Sequence, residues 1–203
     1  MAIEEAPYTT VEQRGNYELR QYQPYVVAET VVEGSFEGVG SEAFRRLFGY
    51  ISGRNRSAKS IAMAAPVEQA AAAEKIAMTA PVTQEKSGDR WRVAFVLPSS
   101  YTLATAPQPD DPSVTLALSP ERLVAAVRYS GTWSRARYEE NLQALERFIV
   151  GEGLESAGEP TFARYDPPFM PWFLRRNEIL IPVQRAAGES GRPRPVTPEV
   201  KPD

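Results

Sequence analysis

The 203-residue sequence contains no cysteine and no histidine. Disulfides, thiolate metal sites, iron–sulfur clusters and zinc sites built on imidazole are therefore excluded. Nucleophile pairs that depend on a histidine base are excluded as well. No side chain has an unperturbed pKa near neutrality. Lysine is scarce, at four residues against 19 arginines. That ratio fits either a base-composition bias or surfaces that grip carboxylates and phosphates with forked guanidinium groups. No apolar run approaches the roughly 18 residues of a membrane helix, and MAIEEAPYTT lacks the basic and apolar segments of a secretory signal. The expectation is a cytoplasmic protein with no membrane span.

The composition is 42% apolar and 24% charged, the balance of an ordinary globular domain. The net charge of −3 argues against a dedicated nucleic-acid binder. The chain reads as one domain over residues 1–185, followed from Ala186 by a disordered tail of proline, glycine and charge.

Alternation over Tyr8–Tyr22, broken at Gly15-Asn16, predicts a hairpin, and YVVAETVVEG (Tyr25–Gly34) predicts a strand. Phe36, Val39, Ala43, Phe44, Leu47, Phe48 and Ile51 recur at helical spacing. They predict a helix from about Val39 to before Gly53, with Ser41 as a candidate N-cap. The heptapeptide Ile61–Val67 (IAMAAPV) returns 15 residues later as Ile76–Val82 (IAMTAPV), and the alanine-rich stretch Glu68–Lys75 reads as a long loop joining two strands. Trp91–Leu97 and Arg122–Tyr129 predict strands around a proline-rich loop, Pro98–Pro112. Ser134–Val150 predicts a second helix with Tyr138, Leu142, Leu145, Phe148 and Ile149 on one face. Thr161–Tyr165 and Glu178–Val183 predict the last strands.

The two halves are alike. Gly34-Ser35-Phe36 precedes the first helix, and Gly131-Thr132-Trp133 precedes the second. The pattern predicts a pseudo-twofold α+β domain with helices packed on a largely antiparallel sheet or barrel.

Several constellations invite a chemical reading. Gly38-Val39-Gly40-Ser41-Glu42-Ala43 matches G-x-G-x-x-A, but no acidic residue stands about 20 positions on, so it reads as a turn leading into the helix. The adjacent carboxylate pairs Glu4-Glu5, Asp110-Asp111 and Glu139-Glu140 read as solvated charge. Two arginine pairs, Arg45-Arg46 and Arg175-Arg176, lie beside aromatic surface and suit an amphipathic ligand with carboxylate arms. Structural ion pairing, for example with Glu42 or Glu178, is by itself the better explanation of them. Phe169, Met170, Trp172 and Phe173 sit in a loop stiffened by Pro167, Pro168 and Pro171. They read as a cap on the core, or as the rim of a pocket or partner site.

KIAMTAPV (Lys75–Val82) and YDPPFMPWFLRRNEILIPV (Tyr165–Val183), with the strand–glycine–helix stretch Tyr25–Asn55, resemble the SOUL/haem-binding protein family. The doubled IAMxAPV is similar to a pattern in bacterial members. The resemblance implies an α+β fold: a distorted antiparallel β-barrel built from two pseudo-symmetric halves, with two α-helices packed outside. It also implies non-enzymatic binding of haem or a related tetrapyrrole, as a carrier or buffer. Carried over, Phe44, Leu47 and Phe48 form the apolar wall, and Arg45 matches a helix arginine that meets a propionate. Phe169, Met170 and Trp172 form the loop side, with Arg175 beside them.

The chain departs from the family in three ways. It has no histidine to ligate iron, it carries Met170 where some animal members carry a lysine, and its first helix is about one turn shorter. Haem would then be held by apolar contact and arginine–propionate pairing. The iron would be unligated or on a weaker ligand such as Tyr50, Met63, Met78 or Met170. The alternative is a module for another small apolar ligand, or for a protein partner bound through residues 166–174. An enzyme is the weakest reading, since only carboxylates, hydroxyls and four lysines would remain as catalysts.

Overall fold

The computed structural model describes residues 3–57 and 73–185. The first part of the chain forms β1 (Tyr8–Arg14), β2 (Tyr17–Tyr22), β3 (Tyr25–Val32), α1 (Val39–Ile51) and β4 (Asn55–Arg56). After the segment outside the described residues come β5 (Val82–Ser87), β6 (Arg90–Val96), β7 (Gln108–Pro109), β8 (Val114–Ser119) and β9 (Arg122–Tyr129). The described residues end with α2 (Arg135–Gly151), β10 (Leu154–Ser156), β11 (Thr161–Arg164), a 3-10 turn at Trp172–Leu174 and β12 (Asn177–Arg185).

Ten strands form one sheet in the order β1-β2-β9-β12-β11-β5-β6-β3-β8, with β10 beside β12. Its strand pairs are antiparallel. The β11–β5 pair is the seam between two similar halves. On one side lie β5, β6, β3 and β8; on the other lie β11, β12, β9 and β2. The outermost strands are exchanged: β2 precedes β3 in the chain but pairs with β9, whereas β8 precedes β9 but pairs with β3. The corners that exchange them contain Pro24 and Pro120. Proline has no N–H to give a ladder, so each strand leaves its predecessor and joins the other half. The path has two ends, β1 and β8, and the sheet therefore curls into a half-barrel without closing.

Side chains alternate across the sheet. On one face, Val26, Ala28, Val32, Val93 and Phe95 pack against Val39, Ala43, Leu47, Tyr50 and Ile51 of α1. Ala125, Val127, Ile179 and Ile181 pack against Leu145 and Ile149 of α2 on the same face. The concave face holds a third cluster that includes Tyr22, Val96, Val124, Ala126, Ala163 and Leu180. The pseudo-symmetry extends to the backbone. Gly34 (φ +138°) and Gly131 (φ +134°) turn the chain identically ahead of α1 and α2, in a region L side chains rarely adopt.

Several details differ from the sequence expectation. Ser41 lies inside α1 rather than at its cap, because the Ser35 carbonyl already accepts from Gly38 N and Val39 N and starts the turn earlier. Strands β5, β8 and β10 were not anticipated. β5 (VTQEKS) is too polar to signal a strand, yet it is held between β11 and β6 at the centre of the sheet. In the second repeat copy the strand begins only at Val82, with a single bridge between Ala80 and Glu5 before it. The first copy, the loop reading of the stretch between the copies, and the tail from Ala186 lie outside the described residues.

Candidate ligand site

Helix α1 presents two phenylalanines at the edge of its buried stripe. Phe44 is 37% exposed and Phe48 is 47% exposed. Spaced by four residues, they fall on one face, and their rings stack at 5.5 Å between centroids with planes 12° apart. Phe44 also meets Phe95 of β6 edge-on at 5.4 Å. Leu47, expected in the same wall, is instead fully buried among Val39, Ala43, Tyr50 and Ile51. It lies about 60° around the helix from Phe44, on the core side, and supports the rings from beneath.

The two arginines of α1 do different work. Arg46 pairs with Glu42 one turn earlier and reaches Thr30 Oγ1 at 3.4 Å, a structural role. Arg45 is exposed and makes no ion pair among the described residues. It points away from the core, about 100° from Phe44.

The loop after β11 carries the other expected residues. Phe169 is 86% exposed, and Trp172, Phe173 and Leu174 are all more than half exposed, while Met170 is half-buried. These side chains rim the fold and do not cap its core. Arg175 fastens the loop by donating from Nε to the Met170 carbonyl at 2.8 Å and from Nη2 to the Pro168 carbonyl at 2.6 Å. Its guanidinium lies 4.4 Å from the centre of the Trp133 ring.

Arg164, which the sequence reading passed over, lies 5.2 Å from the same ring. Both guanidinium groups thus lie close to Trp133, which is held by a hydrogen bond from its Nε1 to Asn177 Oδ1 at 2.9 Å. Among the described residues no ring contact joins Phe169 or Trp172 to Phe44 or Phe48.

Arg176 belongs to a buried cluster on the concave face. Glu178 receives Arg20 Nη1 at 2.6 Å, Arg20 Nη2 at 3.1 Å, Arg176 Nε at 2.9 Å and Tyr165 Oη at 2.9 Å. Burial alone would raise the Glu178 pKa, but these bonds and charges outweigh it and hold the carboxyl below its ordinary value. The ion pairs Arg46–Glu42 and Arg176–Glu178 are those the sequence suggested as structural partners.

The two cavities described lie elsewhere. One of about 350 Å³ is lined by Tyr25, Leu97, Tyr101 and Leu103. The other, of about 220 Å³, lies on the concave face beside Glu29, Glu85 and Arg92. Neither includes any of the expected site residues. A ligand of α1 would therefore lie along the helix edge with one side open.

Haem suits that edge in part. Its flat apolar ring matches the exposed phenylalanines, and its carboxylates match the guanidinium groups. Iron ligation is less well provided for. Tyr50 is buried in the core and donates its hydroxyl to the Pro107 carbonyl at 2.8 Å. Burial pushes its pKa above the usual phenol range, so it is unsuited to serve as a phenolate ligand. Met78 is 41% exposed, Met170 lies in the loop fastened by Arg175, and Met63 is outside the described residues. Among the described residues no group of three or more acidic side chains is placed to hold a metal ion.

The chain is thus an α+β domain: an antiparallel half-barrel with two helices on one face, doubled about a central seam. The SOUL heme-binding protein family model matches residues 3–182, and the chain belongs to that family. Heme-binding protein 2 of Mus musculus is 26% identical over 186 residues, covering 87% of this chain and 86% of the mouse protein. The fold also resembles the EcmrR C-terminal domain, with a TM-score of 0.57 and 9% identity over 88% of this chain and 98% of that one. A crystal structure described as a hydrolase from Listeria innocua matches with a TM-score of 0.55 and 14% identity, over 86% and 94% of the two chains. Among the described residues no helix is long and apolar enough to cross a membrane.

Proposed function

We propose that the chain binds haem or a related tetrapyrrole along the exposed edge of α1 and does so without turnover, as a carrier or buffer. The observation that carries this reading is the stacked, half-exposed pair Phe44 and Phe48, with the exposed Arg45 on the same helix. A planar ring laid on the pair would cover apolar area that water now wets. The ligand's carboxylates would meet arginine, Arg45 among them. Family membership supports the ligand class. The absence of histidine and cysteine supports binding without catalysis, even though one fold relative is described as a hydrolase.

The test is a hemin titration followed by the Soret band, with protoporphyrin IX in parallel. With no strong iron ligand, the two are expected to bind within a few-fold of one another. A much weaker metal-free ring would point to an iron ligand and overturn this version. Loose, non-saturating binding of both would remove tetrapyrrole as the ligand.

A second reading rests on the loop of residues 166–174, whose apolar side chains are the most exposed cluster described. Such a surface, pinned by Arg175, suits a protein partner. It predicts that Phe169→Ala with Trp172→Ala abolishes partner capture and leaves porphyrin affinity intact.

A further inference from the structure

Arg164 carries a charge that no carboxylate among the described residues answers. Its Nη2 donates to Gln84 Oε1 at 3.0 Å, and Gln84 is itself buried and tied to the Phe36 carbonyl at 3.0 Å. Its Nε is buried with no hydrogen-bond partner. The remaining neighbours are the Trp133 and Phe162 rings, at 5.2 and 5.6 Å. No carboxylate among the described residues pairs with it, and burial brings its pKa down to about 10. A guanidinium in a low-dielectric setting normally has an acidic partner.

The backbone beside it adds positive potential. The guanidinium lies against the first turn of α1, where a Cβ on Gly40 would fall 3.0 Å from Nη1. That turn is the positive end of the helix dipole, and no side chain caps it. Its single acidic residue, Glu42, is already paired with Arg46. A buried cation and a helix N-terminus therefore face one another with no anion between them. Arg164 is still partly exposed, so a ligand group can reach it.

The position fits the ligand edge. Gly40, Phe44 and Phe48 follow at four-residue spacing and span about 12 Å along one side of the helix. Beneath them, strand register places Arg164 beside Val82 and Val82 beside Phe95, the residue on which Phe44 rests. The row is thus aromatic at one end and cationic at the other.

We propose that Arg164, at the head of the Gly40–Phe44–Phe48 edge, anchors a carboxylate of the bound ligand. The assignment rests on the tetrapyrrole reading above and adds the residue that selects an acidic ligand over a neutral one. Arg45, exposed on the helix surface, contributes far less, because exposed ion pairs are screened.

The experiment compares hemin with hemin dimethyl ester, whose carboxylates are masked. It uses the wild-type chain and the variants Arg164→Gln, Arg164→Lys, Gly40→Ala and Arg45→Ala. Arg164→Gln is expected to weaken hemin at least tenfold and to change the ester less than twofold. Arg164→Lys should recover part of the loss. Gly40→Ala displaces the guanidinium while favouring the helix, so it should weaken hemin alone even if Arg164→Gln proves too unstable to measure. Arg45→Ala should cost hemin less than threefold. Equal losses for acid and ester, or unchanged hemin affinity in both Arg164→Gln and Gly40→Ala, would overturn the anchor while leaving the tetrapyrrole reading standing. Failure of the wild-type chain to bind either ligand saturably would overturn both.

Discussion

Arg20 and Glu178, 158 residues apart in the chain, meet through two hydrogen bonds beneath the curled sheet, at 2.6 and 3.1 Å. Arg20 is 1% exposed and Glu178 is not exposed at all. Removing the Glu178 charge leaves the buried Arg20 with Glu18 alone, at 2.7 Å, and Arg176 with Glu5 alone, at 2.7 Å. Glu178→Gln is therefore expected to destabilise the fold by about 3 kcal/mol in urea unfolding. A loss below about 0.5 kcal/mol would show that water reaches the pair.

The same carboxyl sets an acid limit. Its folded-state pKa lies below its unfolded value, so its stabilisation is complete above the ordinary carboxylate range and is lost as pH falls through the folded value. The melting-temperature difference between the wild type and Glu178→Gln should be constant near neutrality and shrink below about pH 4. A difference that persists unchanged to low pH would contradict the assignment.

The ring pair on α1 predicts a separation of binding from stability. Phe44→Ala and Phe48→Ala are each expected to weaken hemin about tenfold, the worth of roughly 1.4 kcal/mol of lost apolar contact. Leu47→Ala, by contrast, empties a core position and should cost about 2–5 kcal/mol of stability. Similar binding losses without unfolding for all three would mean that the core itself opens to the ligand.

Tyr50→Phe removes the hydroxyl that satisfies the buried Pro107 carbonyl. The expected cost is about 1 kcal/mol, with the visible spectrum of bound hemin unchanged. A shifted spectrum would reveal a tyrosine–iron bond that requires Tyr50 to leave the core.

Gly34 tests the pseudo-symmetry. At φ +138° an added Cβ would also lie 3.2 Å from Val39 Cγ1, at the entry to α1. Gly34→Ala is expected to cost about 1–3 kcal/mol in thermal or urea unfolding. A neutral substitution would show that the turn into α1 relaxes freely.

Local pattern made much of this protein legible. Helical spacing marked Val39–Ile51 and the α2 face through Tyr138, Leu145 and Ile149, because each helix buries one stripe against one sheet face. Gly34 and Gly131 announced two like halves, since the same backbone turn demands the same residue. The missing histidine and cysteine limited the chemistry before any fold was known. The tertiary structure alone decided the rest. It sent Leu47 into the core and left Phe44 and Phe48 at its margin, because a few tens of degrees around a helix separate core from surface. It inserted polar β5 at the seam, brought Glu178 to Arg20, and set Arg164 beside Gly40 with no acid to meet it. Such charge relationships join residues distant in the chain through strand register, and a one-residue change of register would turn each side chain to the opposite face.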